Sequence, residues 1–320
     1  VSWVHPDRET GTEKARELIA GTVAKAALLE PLAEREVEVT PSALVIGGGI
    51  AGLEAALDIA DAGNRCYLVE RQPSLGGRMA QLNKTFPRME DAGTLVVSEM
   101  ERVLAHPNIE ALAYSEVANV EGYIGNFEAT VRQKPRFVDP NKCTSCDECA
   151  QACVLSGQIP DAFQMGLGRR AAIYRTYPEA LPKTYTVDPE HCLLLKDGVC
   201  ASSTGDESPP CAQACPEDAV VFGQKVQEST LQVGSIIVAT GYDPYNPERK
   251  PEFGYGQYPG VISALEFERL AAENGPTGGR LVIPGTGREP EHVVFIHCVG
   301  SRDKAGAAQG TANEFCSRVC

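Results

Sequence analysis

Residues 43–63, ALVIGGGIAGLEAALDIADAG, decide the fold of this chain. Ala43 to Ile46 read as a short buried strand. Gly47, Gly49 and Gly52 follow as G-x-G-x-x-G, and an apolar helical pattern runs on to Gly63. CYLVE, 66–70, is the next strand. Together they make a β-α-β unit of about 30 residues, the minimum for one half of a dinucleotide-binding fold. Each glycine has its own reason. The first allows the tight turn, the second lets backbone approach a pyrophosphate, and the third lets helix pack on sheet. The helix then turns its free N–H groups and positive dipole end toward the phosphates. Glu70, 23 residues after Gly47, is placed to accept hydrogen bonds from ribose hydroxyls. A glycine turn without a ligand is the competing reading. The strand before it, the helix after it and the acid ending the next strand weigh against that.

Upstream, residues 12–30 place Ala15, Leu18, Ile19, Val23, Ala26 and Leu29 on one face at helical spacing, which predicts a helix packed on a neighbour and stopped at Pro31. Downstream, RQPSLGGRM (71–79) reads as a glycine-containing loop and residues 90–107 as mainly helical. Short strands are expected within 109–123 and over 126–133. Strand character returns at SIIVATGYDP (235–244) and again at HVVFIHCVGS (292–301). Ser263 and Glu266 form a capping box ahead of ALEFERLAAENG, with Gly275 at its end. The loop Arg71–Met79 resembles the second phosphate-side loop of two-dinucleotide-binding flavoproteins. So does Ala239-Thr240-Gly241 with Asp243 nearby, which favours FAD over NAD.

Between these two pieces, from 136 to 231, lies a segment rich in turn residues and cysteine. CTSCDECAQAC carries Cys143, Cys146, Cys149 and Cys153. Thiolates are soft ligands for iron–sulfur clusters or zinc. Zinc prefers separated C-x-x-C pairs, whereas C-x2-C-x2-C-x3-C is the bacterial ferredoxin run, in which the fourth cysteine serves the other cluster. Val154 stands where proline is common. The second quartet is Cys192, Cys200, Cys211 and Cys215, followed by Pro216; its first two intervals are seven and ten residues. One [4Fe-4S] cluster is expected on Cys143, Cys146, Cys149 and Cys215, the other on Cys153, Cys192, Cys200 and Cys211. The stretched intervals leave open which of the second quartet ligates.

The chain has 320 residues, 12 of them cysteine, and a formal net charge of −14. A charge of this sign repels nucleic acid and anionic lipid, and no apolar run is long enough to span a membrane. A secreted disulfide scaffold would be short. Eight of the cysteines instead crowd between 143 and 215 of a long chain. A cytoplasmic metal-binding protein is the better reading. Cys66, inside an apolar strand, reads as a buried small hydrophobe. The histidines at 5, 106, 191, 292 and 297 show no ligand spacing. The chain does not begin with Met and stops at Cys320 in mid-pattern, so a fragment of a longer polypeptide is expected.

Taken together, SWVH, the 43–63 stretch, LVERQPSLGGRMAQLNKTFP, HPNIEALAYSEV, GYIGNF, the first quartet, IYRTYPEALPKTY, QVGSIIVATGYDPY, ALEFERL, GPTGG and FIHCVGSRD resemble the A-type subunits of heterodisulfide reductase, iron–sulfur flavoproteins of anaerobes. The resemblance covers nearly the whole chain. It implies an α/β fold: a thioredoxin-reductase-like FAD-binding Rossmann domain (41–135 and 232–320) with an inserted two-cluster ferredoxin-like domain (136–231) behind a helical segment (1–40). It also implies that Gly47, Gly49, Gly52, Glu70, Arg71, Gly77, Arg78, Val117, Thr240, Gly241 and Asp243 hold FAD, with Lys84 beside the isoalloxazine ring. A third cluster, involving Cys298, Cys316 and Cys320, belongs to the family. Ala92 stands where the family offers a further cysteine, so no stable third cluster is expected on this stretch, and a third [4Fe-4S] cluster is left to the full-length protein.

Electrons from a hydrogenase- or formate-dehydrogenase-type donor are then expected to be split at FAD between ferredoxin and a disulfide-reducing partner protein of the same complex. The flavin carries the chemistry, and no catalytic side chain is expected. The alternative is an iron–sulfur relay or scaffold without flavin turnover; a zinc-stabilised binding module is disfavoured by the first quartet.

Overall fold

The computed structural model describes residues 4–5, 7–30, 36, 38–200 and 208–300. The chain divides after Glu38 into two units. The first holds helix α1, Arg8–Ala27, which begins four residues earlier than the apolar pattern suggests. Asp7 sets that start by accepting from the Thr10 N–H at 2.7 Å. None of its side chains is buried, and Leu18, Ile19 and Val23 are exposed. Among the described residues that face is not covered, and the cap and the Lys14–Glu17 pair give the helix local support. Pro31 lies outside the described residues.

In the second unit the quoted stretch forms β1 (Ser42–Ile46), α2 (Ile50–Asp61) and β2 (Arg65–Glu70). α3 (Ala92–Ala105) and β3 (Ile109–Ala113) follow. An antiparallel meander comes next, with β4 (Ser115–Tyr123) and β5 (Asn126–Gln133). The cysteine-rich segment contributes α4 (Glu148–Ala152), the two-residue strands β6 (Ile159–Pro160), β7 (Arg169–Arg170), β8 (Ile173–Tyr174) and β9 (Thr186–Val187), then α5 (Leu193–Asp197) and α6 (Pro210–Gln213). β10 (Gln227–Val233), β11 (Ser235–Val238) and α7 (Ala264–Ala271) complete the described elements.

β11, β1, β2 and β3 lie side by side in that order, all parallel. Successive residues of a strand face opposite ways, and this divides the core. Val45, Cys66 and Leu68 face α2 and α3, where Leu53, Ala56, Leu57, Val96, Met100 and Val103 are buried. Leu44 and Val69 face the meander, meeting Ala129, Val131 and Val233. The unit is thus layered as helices, parallel sheet and meander. Cys66 is wholly buried, and burial pushes its thiol up to about 11, as befits a core residue.

β10 pairs with β5 along its length. The cysteine-rich segment is therefore inserted between two adjacent strands of one sheet, and the boundary expected at 231 falls inside β10. Its own core contains sulfur: Cys149, Cys192 and Cys211 are buried with Phe137, Ile173, Tyr185 and Val187. It is also stitched to the nucleotide-binding part. Tyr177, Ala180 and Leu181 join the helix-side core instead. Arg136 donates to Pro73 O at 2.6 Å, and the Leu75 N–H donates to Leu181 O at 2.9 Å.

Two further expectations fail. GGRMAQ is not plain loop: Gly77–Gln81 makes a 3₁₀ turn. HVVFIHCVGS forms no strand over its described part. Val293, Val294, Phe295 and Ile296 are exposed, and Phe295 meets Phe267 edge-on. Among the described residues no strand pairs with it, and a lone strand leaves its backbone hydrogen bonds to solvent.

Candidate functional site

The glycine turn is dictated by contacts a side chain would break. Gly47 has φ +112°, and a Cβ there would run into the backbone of Ala239. A Cβ on Gly52 would overlap the Gly47 carbonyl. Gly49 is different: its nearest neighbour would be Gly77 Cα at 3.9 Å, so space lies open in front of it. Gly49 is also the N-cap of α2, and no side chain caps that helix. Gly49 and Gly76 bridge in parallel, which brings the 71–79 loop against the turn. Gly76 and Gly77 both have positive φ.

Glu70 is buried. Its carboxylate accepts from the Gly48 N–H at 2.6 Å and from the Gln72 N–H at 2.7 Å. A carboxylate has about four acceptor sites, so two bonds leave capacity for ribose hydroxyls. Thr240 and Gly241 follow β11 after Ala239, and the Thr240 Cα lies 3.2 Å from where a Cβ on Gly47 would stand. Arg78 Nη2 lies 3.9 Å from Asp243 Oδ1, so the two loops converge on one side of the glycine turn. Arg71 is exposed. Val117 packs at the edge of the meander core. Lys84 faces Asp91 at 3.7 Å, and Asp91 Oδ1 caps α3 through the Thr94 N–H. Ala92 is fully buried at the first turn of α3.

The cysteines gather into two cavities. Cys143, Cys146, Cys149 and Cys215 line one, with the polar Thr144, Ser145, Tyr185 and Glu217 and the apolar Val138, Ala219 and Val220. Cys153, Cys192, Cys200 and Cys211 line the other, whose remaining wall is apolar. The helices carrying Cys149 and Cys211, α4 and α6, pack together. Cys215 Sγ accepts the Ala219 N–H at 3.2 Å. Burial, and then Cys143, Cys211, Cys215 and Cys146 nearby, push the Cys149 thiol up to about 12. Burial and then Cys153, Cys192 and Cys200 push Cys211 up to about 12 as well. Burial, Cys192 and Cys153 also raise Cys200. Cys149, Cys200 and Cys211 thus resist ionisation until a cation shares their charge, which is the character of a metal site. The donor set therefore fits iron–sulfur clusters, and the glycine turn fits a dinucleotide. Cys298 lies in the irregular 292–300 stretch with φ +60°, while Cys316 and Cys320 fall outside the described residues.

Several neighbours escape sequence reading. Tyr177 donates to Leu75 O at 2.8 Å under the glycine loop and stacks on Phe163 with ring centroids 4.6 Å apart. Arg269, fully buried, donates to Gln81 O, Gln164 Oε1 and Asn274 Oδ1. Gln81 in turn accepts from Arg78 at 2.9 Å. Only ALEFERL, with a cation at an otherwise apolar helical position, hints at Arg269.

Residues 43–146 match the family model described as FAD dependent oxidoreductase, a class that the glycine turn and parallel sheet fit. Full-length similarity is narrower. The chain is 48% identical over 321 residues to the iron-sulfur A subunit of the CoB--CoM heterodisulfide reductase of Methanocaldococcus jannaschii, covering 100% of this chain and 46% of that protein. It is 44% identical over 320 residues to the A subunit of the H(2):CoB-CoM heterodisulfide,ferredoxin reductase of Methanothermobacter marburgensis, with the same coverage. It is 45% identical over 320 residues to the A subunit of the H(2)/formate:CoB-CoM heterodisulfide,ferredoxin reductase of Methanococcus maripaludis, covering 100% of this chain and 46% of that protein. The chain belongs to the family of heterodisulfide reductase A subunits. It spans about half the length of the curated relatives it matches. Among the described residues no helix is long and apolar enough to cross a membrane.

Proposed function

We propose that this chain is the FAD- and iron–sulfur-carrying electron-transfer part of a heterodisulfide-reductase-type oxidoreductase, with a thioredoxin-reductase-like flavin domain and an inserted two-cluster ferredoxin-like domain. The observation that carries this reading is the pair of four-cysteine cavities set in a segment inserted between β5 and β10 of a dinucleotide-binding fold. When bound, FAD supplies the conversion between two-electron and one-electron transfer and the [4Fe-4S] clusters supply one-electron carriage.

The residues supply the rest. Gly49 and the uncapped start of α2 receive a pyrophosphate with backbone N–H groups. Glu70 accepts the ribose hydroxyls. Arg78, steered by Gln81 and Asp243, sets positive charge beside the glycine turn. Cys143, Cys146, Cys149 and Cys215 hold one cluster, and Cys153, Cys192, Cys200 and Cys211 the other. Tyr177 and Arg136 tie the insert to the cofactor loop, so that the carriers keep a fixed relation to the flavin. The names of the relatives point to ferredoxin, hydrogen or formate and the CoB-CoM heterodisulfide as the redox partners of the complete assembly. Bifurcation of electron pairs between them is part of the same proposal.

Anoxic purification followed by acid release of the nucleotide tests it. FAD is expected, with about eight iron and about eight sulfide per chain, four of each per cubane. The flavin band should bleach with a reduced low-potential donor. Recovery of NAD, or stoichiometric zinc without sulfide, would overturn the reading; FAD that does not bleach would point to a relay without flavin turnover.

A further inference from the structure

One polar atom lies where nothing answers it. Ser145 Oγ is buried and has no hydrogen-bond partner, alone in this among the described residues. A hydroxyl in that position is costly and rare, and it calls for an explanation. Ser145 lines the cavity of Cys143, Cys146, Cys149 and Cys215. Tyr185 and Thr144 bring the other hydroxyls of that wall, and that of Tyr185 is already engaged by the Asp147 carboxylate.

The backbone holds Ser145 in place at some expense. Ser145 has φ +58° and Asp147 φ +71°, both left-handed, on either side of Cys146. The loop is fixed at both ends. The Cys143 N–H donates to Asp139 O at 3.0 Å, and Arg175 lies 3.8 Å from the Asp147 carboxylate. Thr144, next in sequence, is exposed. The second cavity supplies an internal contrast: among the described residues its lining has no hydroxyl and no other polar side chain.

We propose that Ser145 tunes the cluster held by Cys143, Cys146, Cys149 and Cys215, its hydroxyl donating a hydrogen bond to cluster or thiolate sulfur and raising that cluster's reduction potential. The proposal rests on the cluster reading above. The physical basis is general. Reduction adds negative charge to the sulfurs, so a donor aimed at them stabilises the reduced state more than the oxidised one. An unpartnered buried hydroxyl faces one cavity and not the other, and this would set the potentials of the two clusters apart.

The test uses the anoxically purified, cluster-loaded chain, its Ser145→Ala and Ser145→Gly variants, and a redox titration followed by EPR. Both variants lack the hydroxyl, but alanine keeps the left-handed strain and glycine relieves it. The expected result is the same in both. One cluster's reduction equilibrium moves about tenfold toward the oxidised form, about 59 mV for a one-electron couple, and the other stays put. An exchangeable proton coupled to the reduced wild-type cluster, seen by ENDOR after transfer to D2O, should vanish from both variants. Iron and sulfide are counted first. Wild-type protein without them overturns the cluster reading and this assignment together. Full clusters with unmoved potentials, or a shift in the glycine variant alone, overturn this assignment only.

Discussion

Gly49→Ala separates binding from folding at the glycine turn. Around Gly49 the structure is open, with Gly77 Cα 3.9 Å from the new Cβ, and its φ of −78° suits any residue. The variant loses only the better N-cap, about 0.5–1 kcal/mol. At about 2–4 °C per kcal/mol, its melting temperature should fall by no more than about 4 °C. The methyl group, however, stands where backbone must approach a pyrophosphate. Crowding of that kind costs about 1–3 kcal/mol, roughly five- to a hundredfold in FAD affinity. Gly52→Ala is the contrasting variant. Its Cβ overlaps the Gly47 carbonyl, with Val45 Cγ1 3.4 Å away, so α2 must move off the sheet. That overpacking should cost about 3 kcal/mol or more and lower melting by about 6–12 °C. Thermal melts of the apo chains and flavin titration by fluorescence quenching read the two effects apart. Gly49→Ala that binds FAD as tightly as wild type would show that the second glycine does not face the pyrophosphate. Gly49→Ala that unfolds like Gly52→Ala would refute the steric reasoning itself.

Tyr177→Phe removes the phenol donor from the buried Leu75 carbonyl beneath the cofactor loop. It should lower stability by about 1–3 kcal/mol, measured by urea unfolding, and an unchanged midpoint would mean that the contact carries no weight. Asp188 gives a pH signature. Burial works to raise its carboxyl, but Arg170 at 2.6 Å, the Glu190 N–H and His191 outweigh it and hold the group below its ordinary 3.8. A depressed pKa gives stability that is present above the unfolded value and lost as pH falls through the folded one. The stability gap between wild type and Asp188→Asn should therefore be constant near neutrality and close below about pH 4; a gap that does not change with pH would refute it.

Several features were legible in the sequence because they depend on neighbours a few residues apart. The glycine turn follows from the conformations only glycine adopts and from the approach of strand to helix. The Ser263–Glu266 capping box, present with both of its bonds, is a four-residue device. The ferredoxin-type spacing of the first quartet and the softness of its ligands are equally local. Tertiary structure decided what distance in sequence conceals. Which sulfurs meet across intervals of seven and ten residues depends on how α4, α5 and α6 pack. Tyr177 belongs by sequence to the cysteine-rich insert, yet its ring is buried in the core beneath the cofactor loop, because shape and a carbonyl acceptor were available there. Residues 292–296 are as apolar as β1, but a strand needs a partner for its backbone, and among the described residues none lies beside it. Ser145 is an ordinary residue of a C-T-S-C run in the sequence. Only the folded loop, with left-handed backbone on both sides of Cys146, buries its hydroxyl in a wall of thiols without an acceptor.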